Sequence, residues 1–101
     1  MAERIRVVAT FAVQADKVGA FLEAAQKTLV EPTQGEPGCI EYAIWQDSAD
    51  PTRFAMLEEW ESEEHLAAHL AQPSLQEAVG KLAPMAAEPP TVRRLRRPRA
   101  A

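Results

Sequence analysis

Between Arg53 and Ala71 the apolar spacing changes from every second residue to a helical spacing within a few positions, and this change constrains the fold most. In RFAMLEEW, Phe54, Met56, Glu58 and Trp60 fall on one face of an extended segment, with Ala55, Leu57 and Glu59 on the other. Ser62 then supplies an N-cap hydroxyl, and Glu63 and Glu64 sit where the helix dipole favours negative charge. His65, Leu66, His69 and Leu70 are expected to form one stripe of the helix that follows. A strand therefore runs into a helix through one sharp turn. Both histidines lie on that helix, one turn apart and just after a Trp, so a chemical site is expected here first.

The flanking segments extend the pattern. From Arg4 to Val13, Ile5, Val7, Ala9, Phe11 and Val13 alternate with Arg6, Val8, Thr10 and Ala12, which predicts a strand. Its second face is only partly polar, so something packs on both sides. Asp16 is expected to cap a helix whose apolar stripe is Val18, Phe21, Leu22, Ala25 and Leu29, and Pro32 to end it. Residues 34–38 read as a turn, Cys39–Gln46 as a second strand, and 47–52 as a hairpin-like loop. After the third strand and its helix come a short helix over Ser74–Leu82, a connection broken by Pro84, Pro89 and Pro90, and an Arg-rich strand at about 91–97 with a tail over 98–101. The order βαββαβ predicts one α+β domain over 1–101, ferredoxin-like, with four antiparallel strands and helices on one face. The bare face would carry Val8, Thr10, Tyr42 or Trp45, and Phe54 or Leu57. Large apolar residues there ask for cover, and a second copy placed sheet to sheet would supply it.

Charge narrows the partners. The net charge is −4, but five of the eleven basic residues lie between Arg93 and Arg99. Residues 1–92 carry six basic against fifteen acidic side chains. Such a body repels phosphate backbones, so nucleic acid is not the expected partner. The terminal arginines are read as solvated, or as meeting acidic groups on this chain or a partner subunit. One cysteine, Cys39, allows no intrachain disulfide and suits a reducing cytoplasm. No apolar run approaches a membrane span, and Arg4 and Arg6 interrupt anything like a leader.

Four stretches carry a family resemblance: EPGC at 36–39, DPTRF at 50–54, LEEWES at 57–62 and HLAAHLAQP at 65–73. With the element order, they resemble the antibiotic biosynthesis monooxygenase domain, and most closely its bacterial quinol monooxygenase branch, from about Ile5 to Leu95. The resemblance implies a dimeric α/β barrel with a ligand pocket between sheet and helices. It also implies oxidation of a small aromatic quinol or polycycle by O2 without metal, flavin or haem. The alternative is a non-catalytic dimer of the same fold that binds such a ligand. Relatives that degrade haem carry an Asn on the first strand and an axial His. This chain has no Asn, and Val79 stands at the matching position. The related sugar-phosphate isomerase shares a His at the place of His69, but its second His meets Ser74 here.

Each candidate residue also has a structural reading. His65 and His69 have two-ligand metal spacing, but HLAAH lacks the Glu of HExxH and no third ligand follows from spacing, so no metal is expected. His65 can equally donate to a backbone carbonyl at a helix–sheet boundary. Trp60 can fill the strand–helix junction, and Tyr42 can be a core ring with a wet hydroxyl. Glu58 and Glu59 cannot both be buried unpartnered, and Arg6 and Arg53 are available. Cys39 reads as a small core or edge residue. On the resemblance, the expected site is His69 as general base, with Trp60, Tyr42, Thr10, His65 and Val8 contacting substrate. A phenolic proton lies ~3.5 pKa units above a typical imidazole, about 5 kcal/mol, so hydrogen bonds to the anion must offset part of the gap.

Overall fold

The computed structural model describes residues 3–99, so residues 100 and 101 of the expected tail lie outside the described residues. The alternating segment at the N-terminus becomes a central strand, β1 (Ile5–Val13). It pairs antiparallel with β3 (Arg53–Trp60) on one side and β4 (Ala86–Leu95) on the other, and β2 (Cys39–Gln46) pairs antiparallel with β3. The sheet order is β2-β3-β1-β4. This is the ferredoxin-like α+β arrangement expected from the element order, with the helices on one face.

Register decides which side chains go inside. Ile5, Val7, Ala9 and Phe11 of β1 face Trp60, Glu58, Met56 and Phe54 of β3, and Tyr42 of β2 lies opposite Glu58. All of these sit beneath the helices. The bare face holds Val8, Thr10, Ala43, Trp45, Ala55 and Leu57, with Trp45 at 58% exposure. Tyr42 and Phe54 are thereby assigned to the core, and Trp45 and Leu57 to the bare face. A register shift between Cys39 and Glu41 turns Cys39 inward as well, opposite Trp60.

The first helical run differs from expectation at both ends. It opens with a 3-10 turn (Ala15–Lys17) after Gln14, and Asp16 lies inside that turn without capping it. Gln14 instead donates through Nε2 to the carbonyls of Pro84 and Ala86, tying the run to the start of β4. Helix α1 (Val18–Ala25) then passes through a π-helical turn (Gln26–Val30) into α2 (Glu31–Gln34), which contains Pro32. A proline inside an α-helix lacks a donor and collides with the carbonyl four residues back. Here the Glu31 N–H already reaches the Gln26 carbonyl, five residues back, so the widened turn absorbs Pro32 and the helix continues. The run buries Phe21, Ala25, Leu29, Val30 and Thr33. Phe21 packs between Phe11 and Phe54, with ring centroids at 6.1 and 5.2 Å.

Helix α3 (Glu63–Leu70) starts as expected, with Ser62 Oγ accepting the His65 N–H at 3.2 Å. It meets the sheet along a three-residue row, so Leu66 and His69 are buried while Leu70 is 39% exposed. The expected four-residue stripe is corrected to this narrower one. Helix α4 (Pro73–Leu82) buries Ala78 and Leu82, and its Val79 is half exposed.

Strand β4 begins at Ala86, well before Thr91, and includes Pro89 and Pro90. Prolines are tolerated there because β4 is an edge strand and its register with β1 slips between Thr10 and Val13. Together with the arginines that follow, they blunt the open edge against pairing with foreign strands. Replacing Leu66 by Ala is expected to cost about 2–5 kcal/mol as a buried-leucine truncation, and Leu70→Ala well under half of that. Chemical unfolding of the two variants checks this; equal losses would mean that α3 is rotated from the orientation described.

Candidate functional site

The N-terminal end of β1, the C-terminal end of β3, the turn before β2 and α3 converge on one polar cluster inside the core. β3 delivers Glu58 and Trp60, two residues apart and therefore on the same face. The Trp60 indole N–H donates to Glu58 Oε1 at 3.0 Å, and among the described residues no cation is ion-paired with this buried carboxylate. β2 adds Tyr42 opposite Glu58. α3 adds His69, whose ring lies 4.8 Å from that of Trp60 and 5.5 Å from that of Tyr42. The turn after α2 brings Glu36, and His69 Nδ1 meets Glu36 Oε1 at 2.9 Å. A carboxylate at Nδ1 favours the tautomer with hydrogen on that nitrogen and fixes the ring plane.

Electrostatics in the cluster follow from its dryness. Burial is the main reason the Glu58 carboxyl is held above its ordinary value of 4.5; Glu36 adds to this, and the Trp60 hydrogen bond and His69 oppose it. Burial likewise pushes the Tyr42 hydroxyl well up, reinforced by Glu58 and Glu36, while a hydrogen bond with the Thr33 side chain pulls weakly the other way. Tyr42 is therefore a protonated donor at any ordinary pH. Cys39 sits beside the cluster, and burial, then Glu36 and Glu58, raise its thiol pKa, which disfavours the thiolate a nucleophile needs.

His65 is half-buried, and its Nδ1 lies 2.7 Å from Ser62 Oγ. Its ring covers Gly38, which has φ +78. A Cβ at Gly38 would collide with Cβ and Cγ of His65, so this position needs glycine both for its backbone and for the close approach. His69 grips the same turn two residues earlier, through Glu36. Both histidines thus fasten the 36–38 turn to α3. Among the described residues no three His, Cys, Asp or Glu groups are arranged to hold a metal ion.

The structure brings together His69, Trp60 and Tyr42, with His65 at the rim. Val8 and Thr10 are not brought to them. They lie on the bare face of the sheet, where Thr10 hydrogen-bonds the Thr91 hydroxyl and lines a groove with Trp45 and Arg53. Alternation put these residues opposite the Ile5–Val7–Ala9 face, and a β-strand gives no route from one face to the other. Glu36, Thr33 and the inward position of Glu58 were not anticipated. The available signals were an acidic residue before Pro-Gly at a strand entrance, and the shared face of Glu58 and Trp60.

A separate cavity of about 400 Å³ lies at the other end of β1, among Phe11, Val13, Phe21, Val79, Leu82 and Ala86. Its lining is almost wholly apolar, and among the described residues Glu88 is the one ionisable side chain in it. Glu88 is ion-paired with Arg53 at 3.2 Å.

The family model described as antibiotic biosynthesis monooxygenase matches residues 4–81. The solved structure of a conserved protein from Methanosarcina mazei Go1 superposes with a TM-score of 0.90 at 31% identity, covering 95% of this chain and 94% of that one. A candidate antibiotic biosynthesis monooxygenase from Nitrosomonas europaea superposes at 0.87 with 27% identity, covering 95% and 91%. An uncharacterised protein of Synechocystis sp. is 32% identical over 89 residues, 88% of this chain; the chain spans 60% of that relative's length.

The raised carboxyl of Glu58 has a consequence for stability. In the unfolded chain this group ionises near 4.5, whereas in the fold it holds its proton to higher pH. Its contribution is full below the unfolded value and is lost as pH rises through the folded value. Glu58→Gln keeps an acceptor for Trp60 and removes the ionisation. The variant is expected to be more stable than the parent at pH 8, with the gain fading toward pH 4. Thermal melts across that range check the sign, and a gain that grows toward acid would contradict it.

Proposed function

The chain belongs to the antibiotic biosynthesis monooxygenase family, and on that premise we propose that it is a cofactor-independent monooxygenase that oxidises a small aromatic quinol or polycycle with O2, with His69 as general base. The observation that carries this reading is the His69–Glu36 pair set against the Trp60 and Tyr42 rings. An imidazole oriented by a carboxylate is the group to take a phenolic proton near neutral pH. Tyr42, which stays protonated, can donate to the resulting oxyanion. The deprotonated quinol passes one electron to O2, and the semiquinone and superoxide recombine at carbon. Loss of water from the hydroperoxide leaves a hydroxyquinone. Quinol plus O2 thus becomes hydroxyquinone plus water, with all four electrons of the reduction drawn from the substrate.

A second reading rests on the apolar cavity. Neither His69, Tyr42 nor Trp60 lines it, and a flat hydrophobic ligand held there would meet no base other than Glu88. That arrangement suits binding without turnover. In either case the protein is proposed to act as a homodimer joined through the bare sheet face, because Trp45 is exposed there and Val8 and Leu57 beside it are only half-buried.

Oxygen uptake with a reduced naphthoquinone separates the readings. His69→Ala is expected to lower the rate about 10²–10⁴-fold, His65→Ala far less, and Val79→Trp, at the cavity wall, little. An unaltered rate in His69→Ala removes the base assignment. Tight ring binding abolished by Val79→Trp, with no oxygen consumed by the parent, selects the binding protein. Sedimentation at micromolar concentration is expected to give a dimer, and a single 11.1 kDa species would refute it.

A further inference from the structure

The end of the bare face, away from Trp45, holds a cleft of about 290 Å³ that neither the fold nor the proposed chemistry uses. It is lined by Arg4, Arg6, Glu59, Leu95, Arg96, Arg97 and Pro98. Four arginines from two distant stretches of the chain therefore line one hollow. The last paired positions there are Arg6 and Leu95, so the entry to β1 and the exit from β4 run side by side. Arg99 fastens the arrangement further out, its Nη2 meeting Glu3 Oε1 at 2.8 Å.

Not all of this charge is neutralised. Arg6 is held between Glu41 at 3.2 Å and Glu59 at 3.1 Å, and Arg4 reaches Glu59 only at 3.5 Å. Arg96 donates to the Arg97 carbonyl, and among the described residues neither Arg96 nor Arg97 has a carboxylate within ion-pair distance. Four positive charges against Glu59 and Glu41 leave about two in excess. Like charges crowded at the end of a strand pair repel each other, and a shared anion relieves that repulsion. Guanidinium forks match phosphoryl oxygens in geometry, which a lysine cluster would not.

We propose that this cleft binds a small anion bearing a phosphoryl or pyrophosphoryl group, held by Arg4, Arg96 and Arg97, with Arg6 positioned by its two glutamates as a neighbouring charge. The remainder of the chain defines the size of the ligand. Residues 1–92 carry fifteen acidic side chains against six basic, so a long polyanion would be repelled beyond the cleft while a small one is not. All lining residues come from one chain, and they lie at the end of the bare face, beyond the Val8, Leu57 and Trp45 patch through which two copies are proposed to join. It also lies apart from His69, on the opposite face of the sheet.

Calorimetric titration of the full chain with inorganic pyrophosphate at low ionic strength tests this. Saturable binding of one anion per chain is expected, with Arg97→Gln and Arg4→Gln each weakening it about tenfold, and with competition from sulfate. Arg53→Gln, at the far end of the sheet, is the control and is expected to leave binding unchanged. Added sodium chloride should weaken it progressively. Absence of saturable binding by the parent overturns the proposal. So does binding that survives the Arg4→Gln/Arg97→Gln double variant, or binding that Arg53→Gln weakens as strongly.

Discussion

A carboxylate taken out of water has to be answered inside the protein, and the structure under the helices depends on how Glu58 is answered. Leaving such a group unpaired costs several kcal/mol. The Trp60 indole supplies the hydrogen bond, and desolvation raises the carboxyl pKa, which reduces the charge that must be buried. Trp60 has no exposed surface, so the indole that satisfies Glu58 is also among the largest fully buried side chains. Moving either residue disturbs both the apolar packing and the polar pairing. His69 and Tyr42 pack edge or face against the same ring. The position of α3 over the sheet is set by this shared contact.

From that joint the coupling extends to the 36–38 turn. Glu36 holds His69, and His65 closes over Gly38 so tightly that no side chain fits beneath it. Two residues one helical turn apart thereby clamp a turn from a distant part of the chain. The arrangement explains why an acidic residue and a glycine stand two positions apart at the entrance of β2. It also leaves the proposed base rigidly oriented, which favours proton transfer over flexible binding.

The sheet separates two chemistries. Its covered face holds the core, the His69 cluster and, at the other end, an apolar cavity. Its bare face has an apolar middle around Val8, Leu57 and Trp45 and a basic end around Arg4 and Arg97. β4 contributes to both because it is the edge strand, only partly covered by the helices. Val92, although it faces the helix side, is 63% exposed for that reason. The arginines on β4 are therefore wet, and the acidic body lends their end of the molecule its contrast in sign.

The element order, which residues of β1 and β3 share a face and the Ser62 cap were all legible in the sequence, because alternation, helical spacing and capping are local rules acting over a few residues; which face of β3 turns inward was not. The same rules sent Val8 and Thr10 to one face and Ile5 and Val7 to the other. Local rules were less able where a residue's environment comes from elsewhere. Pro32 continues a helix because a widened turn precedes it, and Pro89 and Pro90 enter a strand because that strand is at an edge. Leu70 is partly exposed because α3 meets the sheet along the Leu66–His69 row. Spacing alone did not bring Glu36 to His69, since the two stand 33 positions apart and meet only when the turn folds onto α3. The local sequence determined which elements form and which faces are apolar; the tertiary packing decided which polar groups share the interior, because a buried charge selects its partner by proximity in space.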